Sequence, residues 1–344
     1  MALQTQTIST QEIKPIFCWD IDPTQPLGTA HEDGHNGFVD FGILSYTIPY
    51  NSASLEVSPN LSGHYGQMES QGRHRADLST WTFDTTFLGT TTALKANCLW
   101  AFGDGASPMV LNANTGIGNG TTSAMQMLHG VASNNHATVV FQNGGTDATE
   151  DDMIVKGAMI QSMTLKQDVA ANAGQLTIDS TFFTAYPPLE DAISGADARA
   201  IDTVDAGVAP KSIFALTNGA VYLNAKDLMP LSWEITISRT LERVGTQDYS
   251  VHSPYAIAQT GPWEVTGSLV VKADDYSYDC IAELKGNSAG TNISLGDGGF
   301  DIDIPDAMVD SATLDNSGTF LTHTIPFRAF AASSTANIIS ITPA

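Results

Sequence analysis

The sequence predicts a mainly β protein built twice: two β-sandwich or barrel units in tandem, each with a short α-helix on its flank. Three observations predict it. Apolar and polar residues alternate with period two through Trp81–Phe87, Trp233–Ser238 and Trp263–Leu269, the signal of half-buried strands. Only 15% of residues are charged, while Thr, Ser, Asn, Gly and Ala are plentiful, a mix that suits strands joined by turns. The unit also recurs. Trp81 and Cys98 match Trp263 and Cys280 at one offset, 182 in both cases (263 − 81, 280 − 98). Ala158-Met159-Ile160-Gln161-Ser162-Met163-Thr164-Leu165 returns as Ala307-Met308-Val309-Asp310-Ser311-Ala312-Thr313-Leu314, five of eight identical. Two similar units in one chain can stand in for two subunits of a ring.

Residues 1–50 read as a polar N-terminal arm. Unit one spans 51–186 and unit two 227–335. A connector over 187–226 opens on Pro187-Pro188, and 336–344 form a C-terminal tail. Each unit starts with a strand, Leu55–Ser58 or Trp233–Ser238. A long polar loop follows, about 59–77 or 240–261, and then the Trp-led strand. Next come a short helix, Leu94–Leu99 or Tyr278–Leu284, and a closing hairpin of which Gln175–Ser180 is one arm. The offset falls from 182 to 149 (307 − 158) at the later block, so unit one carries 33 extra residues (182 − 149). They are assigned to the Gly-, Asn- and Thr-rich stretch about 106–143, as a surface loop.

Thirty-seven acidic residues against 14 basic give a net charge of −23. A chain this acidic has no phosphate-neutralising surface with which to grip nucleic acid. Three cysteines, Cys18, Cys98 and Cys280, cannot all pair within one chain and read as buried free thiols. The N-terminal residues lack the basic start and apolar run of a secretion signal, and no apolar run approaches a membrane span. The expectation is a soluble chain without a membrane partner.

The alternation places Trp233, Ile235 and Ile237 on one side of their strand and Glu234, Thr236 and Ser238 on the other. The Trp-led strands do the same, with Thr82, Asp84 and Thr86 opposite Trp81, Phe83 and Phe87, and Glu264, Thr266 and Ser268 opposite Trp263, Val265 and Leu269. The polar sides read as free of Lys and Arg. Four such strands, two per unit, suggest a shared polar lining.

In order along the chain, these features resemble the major tail tube proteins of long-tailed (siphovirus-like) bacteriophages, in a duplicated-domain form. The likeness is carried by Leu231-Ser232-Trp233-Glu234-Ile235-Thr236-Ile237-Ser238-Arg239, by Gly261-Pro262-Trp263-Glu264-Val265-Thr266-Gly267-Ser268-Leu269, and by the hairpin of Gly157–Leu165 with Gly174–Ile178. It covers roughly residues 50–335. The resemblance implies a β-sandwich with a flanking helix in which four strands per domain face inward. Six domains would close a continuous barrel, here three chains in pseudo-sixfold rings, and stacked rings would conduct DNA. It implies a virion protein assembled in the host cytoplasm. Its partners would be further copies of itself, tail proteins at the lumen and tube ends (tape measure, terminator, distal tail), and passing DNA bound without sequence preference.

On that resemblance the lumen lining is expected to comprise Glu56, Ser58, Thr82, Asp84, Thr86, Ser232, Glu234, Thr236, Glu264, Thr266 and Ser268. Such a wall offers no cation for counterion release and repels the duplex. Arg73, Arg75, Arg239 and Arg243, in or beside the long loops, are expected to mediate stacking between rings. The alternative is a β-sandwich binding module, a host-carbohydrate adhesin or a capsid decoration protein.

Other constellations carry less. His31-Glu32-Asp33-Gly34-His35 has metal-ligand residue types, but its glycine and polar surroundings mark a loop. Gly296–Asp303 faintly resembles a calcium turn and reads as a hairpin turn. Asn143-Gly144 and Asn218-Gly219 are turn formers. There is no Gly-x-Ser-x-Gly elbow and no phosphate loop. No cofactor or metal is expected and no catalytic residue is assigned. Trp81, Trp233 and Trp263 lie on apolar strand sides and are expected in the core.

Overall fold

β-branched and aromatic alternation produces strands, and few helices interrupt them. The structure is a computed structural model that describes residues 13–18, 27, 38–49, 54–57, 72–75, 79–115, 126–133, 135–142, 152–171, 174–191, 201–204, 220–223, 226–246, 253–286, 290–296 and 300–343. The first half holds β1 (Lys14–Cys18), β2 (Phe38–Asp40), β3 (Ile43–Tyr46), β4 (Ser54–Val57), β5 (Gly72–Arg75), β6 (Trp81–Leu88), α1 (Thr91–Phe102), β7 (Met109–Asn112), β8 (Gln126–Leu128), β9 (Ala137–Gln142), β10 (Asp152–Asp168) and β11 (Thr177–Thr184). Between the halves lie β12 (Leu189–Asp191), β13 (Ile201–Val204), β14 (Ala220–Leu223) and β15 (Lys226–Leu228). The second half holds β16 (Pro230–Ser238), β17 (Leu241–Val244), β18 (Ala256–Gln259), β19 (Glu264–Lys272), α2 (Asp275–Gly286), β20 (Thr291–Gly296), β21 (Phe300–Val309), β22 (Thr313–Asp315), β23 (Thr322–Ala329) and β24 (Asn337–Pro343).

One sheet runs through both halves in the order β3-β6-β11-β10-β16-β19-β23-β22. Its apolar face packs on α1 and on two outer layers. One is β13-β2-β1-β9 with the start of β10; the other is β15-β14-β20 with the start of β21, then β24-β7. β10 and β21 each pass from an outer layer into the shared sheet. A single buried cluster spans the molecule, from Phe17, Phe83, Trp100 and Phe182 to Trp233, Ile302, Phe327 and Ile341. The two halves therefore share one core.

The duplication extends to hydrogen-bond register. Thr90 caps α1 by accepting from the Ala93 N–H (3.1 Å), and Asp274 caps α2 by accepting from the Ser277 N–H (2.9 Å). Each such cap is worth about 1 kcal/mol. Both members of this pair lie 184 residues apart (274 − 90, 277 − 93). Strand pairing gives the same offset, since Trp81 faces Thr184 where Val265 faces Ala329 (265 − 81). The sequence match of two Trp and two Cys at 182 is thus two residues out of structural register. Trp81 corresponds to Val265, and Cys280 to Ala96. The β9·β10 and β20·β21 pairs carry a register break at the same place, between Val155 and Ala158 and between Thr291 and Ile293.

The first strand of unit one is also reassigned. β4 pairs with β5 in a separate two-stranded ribbon, while β3 pairs with β6 as β16 pairs with β19. Tyr46 faces Thr85 where Trp233 faces Leu269, and both strands break register just before, at Ile43/Ser45 and Pro230/Ser232. Leu44-Ser45-Tyr46-Thr47-Ile48 is the counterpart of Leu231-Ser232-Trp233-Glu234-Ile235. The insertion likewise lies nearer the helix. The offset drops from 184 to 154 (291 − 137) between helix and following strand, which places 30 residues (184 − 154) between α1 and β9. It is no simple surface loop. Its strand β7 pairs with β24 and its strand β8 with β18, both in the second half.

Cys18, Cys98 and Cys280 are free and buried, and burial raises the Cys98 thiol well above the usual range. Trp81 and Trp233 lie in the core, and Trp263 packs against it from its edge. No described helix is long and apolar enough to cross a membrane.

At α2, the Ser277 hydroxyl donates to the Asp274 carbonyl (2.9 Å) and stands 3.0 Å from His323 Nδ1. That network assigns the proton to Nδ1. Tyr278 meets the His323 ring edge-on. Desolvation lowers the His323 pKa from 6.5, against a smaller opposing pull from Asp274. The folded imidazole therefore stays neutral where the unfolded one takes up a proton, so stability falls as pH drops through the unfolded value. Thermal melts are expected to lose stability between pH 7 and pH 5, and His323→Asn to flatten part of that slope. An unchanged slope in the variant would contradict this.

Candidate functional site

The second face of the shared sheet is polar and open, and cross-strand register arranges it in rows. One row reads Ser45, Thr86, Asp179, Thr164, Thr236, Thr266, Arg328 over seven strands. The next reads Asp84, Thr181, Ser162, Ser238, Glu264 over five. Both rows cross the boundary between the halves without a break.

Its polar atoms largely satisfy one another. Ser45 donates to Thr86 (2.9 Å), Thr86 to Asp179 (2.8 Å) and Thr181 to Asp84 (2.7 Å), while the Thr164 and Thr236 hydroxyls share a hydrogen bond of 2.8 Å. Lys166 forms an ion pair with Asp179. Among the described strand residues of this face, six carboxylates (Asp84, Asp168, Asp179, Glu234, Glu264, Asp315) outnumber three cations (Lys166, Lys272, Arg328). The expectation of a cation-free face is corrected here. The three cations come from the closing hairpins and a strand end, which lie outside the alternation read in the sequence. A shallow hollow at the β10·β16 seam is lined by Lys166, Asp168, Ser232, Glu234 and Ser268. No group of three metal-ligating residues occurs among the described residues.

Thr82, Asp84, Thr86, Ser232, Glu234, Thr236, Glu264, Thr266 and Ser268 all belong to this face. Glu56 does not, because β4 lies in the separate ribbon; Ser45 and Thr47 take its place in β3. Ser58, the His31–His35 motif, the Asn143-Gly144 and Asn218-Gly219 turns and the tip of the Gly296–Asp303 turn lie outside the described residues. So do the side chains of Arg73 and Arg75 in β5.

Arg239 and Arg243 reach from the second half to backbone carbonyls of the first, and Arg239 Nη1 is buried without a hydrogen-bond partner among the described residues. Arg239 is 4% exposed. Its Nε donates to the Ile160 carbonyl (2.9 Å) and its Nη2 to the Trp100 carbonyl (3.3 Å), both in the first half. Its guanidinium carbon lies 4.7 Å from the Trp263 ring centroid, and Trp263 Nε1 donates to the Thr115 carbonyl of the insertion (2.9 Å). Burial lowers the guanidinium pKa to about 9, so the group remains cationic at neutral pH. Arg243 Nη1 donates to the carbonyls of Ala185 (2.8 Å) and Ser79 (3.3 Å). Sequence alone gives an arginine after a strand no mark of burial.

No family model matches the chain, and no curated protein matches it.

Replacing Arg239 leaves two buried carbonyls without donors. Arg239→Ala is expected to lower the unfolding free energy by about 3 kcal/mol. Arg239→Lys should cost nearly as much, because an ammonium cannot reach both carbonyls while stacking on Trp263. Denaturant unfolding measures both, and a loss below about 0.5 kcal/mol for Arg239→Ala would contradict the assignment.

Proposed function

We propose that this chain is a non-catalytic structural subunit of a bacteriophage tail tube, whose polar sheet face lines a channel for DNA. The observation that carries the reading is the unbroken eight-stranded sheet, with one face sealed by core and the other left open, polar and acidic. A wall for rapid, sequence-independent passage must not hold phosphate. Excess carboxylates repel the duplex. The hydroxyls are engaged with one another, Lys166 is paired with Asp179, and six carboxylates outweigh the remaining cations Lys272 and Arg328, which weakens counterion-release binding. Three chains would supply the six four-stranded units that the family resemblance implies. Tape measure, terminator and distal tail proteins would be the partners at lumen and ends.

Charge reversal tests the lining. In particles that carry this protein as their tube, Glu234→Lys with Glu264→Lys should leave folding and assembly intact, since both side chains are exposed. DNA ejection should slow by roughly tenfold or more at low salt, and less at high salt. An ejection rate equal to wild type at all salt concentrations would contradict the proposal.

A further inference from the structure

We infer that α2 is an acid-released clamp: protonation of His323 frees this helix from the sheet of the second half, while its counterpart α1 stays docked. The helix lies on the face opposite the polar rows, so its release is independent of the channel reading. Each helix is tied to the shared sheet by a buried side-chain hydrogen bond. In α1 the Ser180 hydroxyl donates to Asn97 Oδ1 (2.7 Å), and Asn97 Nδ2 donates to the Ala93 carbonyl (2.8 Å). None of these groups titrates near neutral pH. In α2 the tie joins His323 Nδ1 to Ser277 Oγ (3.0 Å), and its imidazole does titrate there. The helices correspond at an offset of 184 and the closing strands at 145 (329 − 184). Ser277 and His323 therefore stand where the first repeat has Ala93 (277 − 184) and Ile178 (323 − 145), an apolar pair in the core cluster.

The burial of the two helices differs in the same sense. α1 lies between β10 and the outer strands β7 and β24, and Ala93, Leu94 and the run from Ala96 to Phe102 are buried. α2 packs on β15, and its Tyr276, Tyr278, Asp279 and Ala282 are exposed. Tyr278 is 49% exposed at the place where Leu94 is fully buried. Among the described side chains of α2, Ser277 and Cys280 alone are fully buried. A helix with so little buried apolar surface opens at a small fraction of the cost of global unfolding.

His323 is 3% exposed. Its ring lies against Tyr278, centroids 4.5 Å apart, and its cross-strand partners are Val271 and Leu314. The titratable groups on the α2 side are Asp274 and Tyr278, with Asp275 and Asp279 exposed on the helix. Lys272 and Asp315 both pair with Thr322, and alternation turns them to the polar face. Desolvation outweighs the pull of Asp274, so the docked imidazole holds a proton less readily than a hydrated one. Undocking returns the ring to water, where it takes up the proton. The docked fraction therefore falls as pH drops through about 6.5. Protonation in place would put a full charge into a desolvated site. Acid thus loosens the outer side of the second repeat and leaves the sheet register and α1 intact.

Each helix carries a native cysteine as a probe, Cys98 on α1 and Cys280 on α2, both fully buried. In the full chain, labelling with a dithiodipyridine, which reacts with thiols in acid, is read by peptide mass spectrometry. Each rate is divided by that of the same thiol in the urea-unfolded chain. Between pH 7 and pH 5 the Cys280 rate should rise roughly fivefold or more, and the Cys98 rate should stay within about twofold. Ser277→Ala with His323→Ile copies the pair of the first repeat and should hold the Cys280 rate at its pH 7 value. His323→Gln, which keeps a donor for Ser277 without titrating, should do the same and covers the case in which the double variant fails to fold. An equal rise at both cysteines would show global opening and overturn the clamp. A flat Cys280 rate in the unaltered chain, or a rise that survives in His323→Gln, would overturn it as well.

Discussion

Everything on the polar face depends on the register of β10 against β16. Side chains alternate with period two, so a slip of one residue would turn every Thr, Ser and Glu of one half toward the core and every Trp and Ile toward solvent. Arg239 fixes that register. It follows β16 directly, its N–H donates to Gln161 of β10 (2.9 Å), and its guanidinium reaches the Ile160 and Trp100 carbonyls of the other half. A buried cation is costly unless its donors are met. Two carbonyls and the Trp263 face offset part of that cost, with Nη1 buried and without a hydrogen-bond partner among the described residues, and they do so only while β10 and β16 keep their alignment. The term that burdens stability is thus the one that specifies the fold.

The insertion reinforces the same boundary from outside. β7 joins the second half's outer layer, β8 extends the β17–β18 hairpin, and Thr115 accepts from Trp263. Met127 joins Met159, Ala185, Leu241 and Ile257 in a small second core over one end of the seam. The two repeats thus share one core and one sheet, so separating them would expose apolar surface that is buried in the single chain.

Much of this was legible in the sequence. Strand alternation gave the mainly β class, the apolar sides of Trp81–Leu88 and Trp233–Ser238, and nine of the polar-face residues, because period two depends on local sequence alone. The repeat was visible, but its anchor was misplaced. Trp263 and Cys280 are conspicuous residues that sit two positions from their structural counterparts, whereas the cap positions Thr90 and Asp274 that mark true register share only a capping function. β3 is hard to read locally although Leu44-Ser45-Tyr46-Thr47-Ile48 echoes Leu231-Ser232-Trp233-Glu234-Ile235, because it is short, ends beside Pro49 and follows a polar segment without a period. The cations Lys166 and Arg328 and the burial of Arg239 are properties of pairing between distant strands, which no local pattern encodes.

Electron cryomicroscopy of the assembled protein tests the central claim most directly, by showing whether the shared sheet faces a channel and continues between chains. The account predicts rings of three chains and six lobes, with eight strands per chain in one continuous barrel and Glu234 and Glu264 on its inner wall. Rings whose inner wall is built from other strands, or a protein that stays monomeric at high concentration across salt, would contradict it.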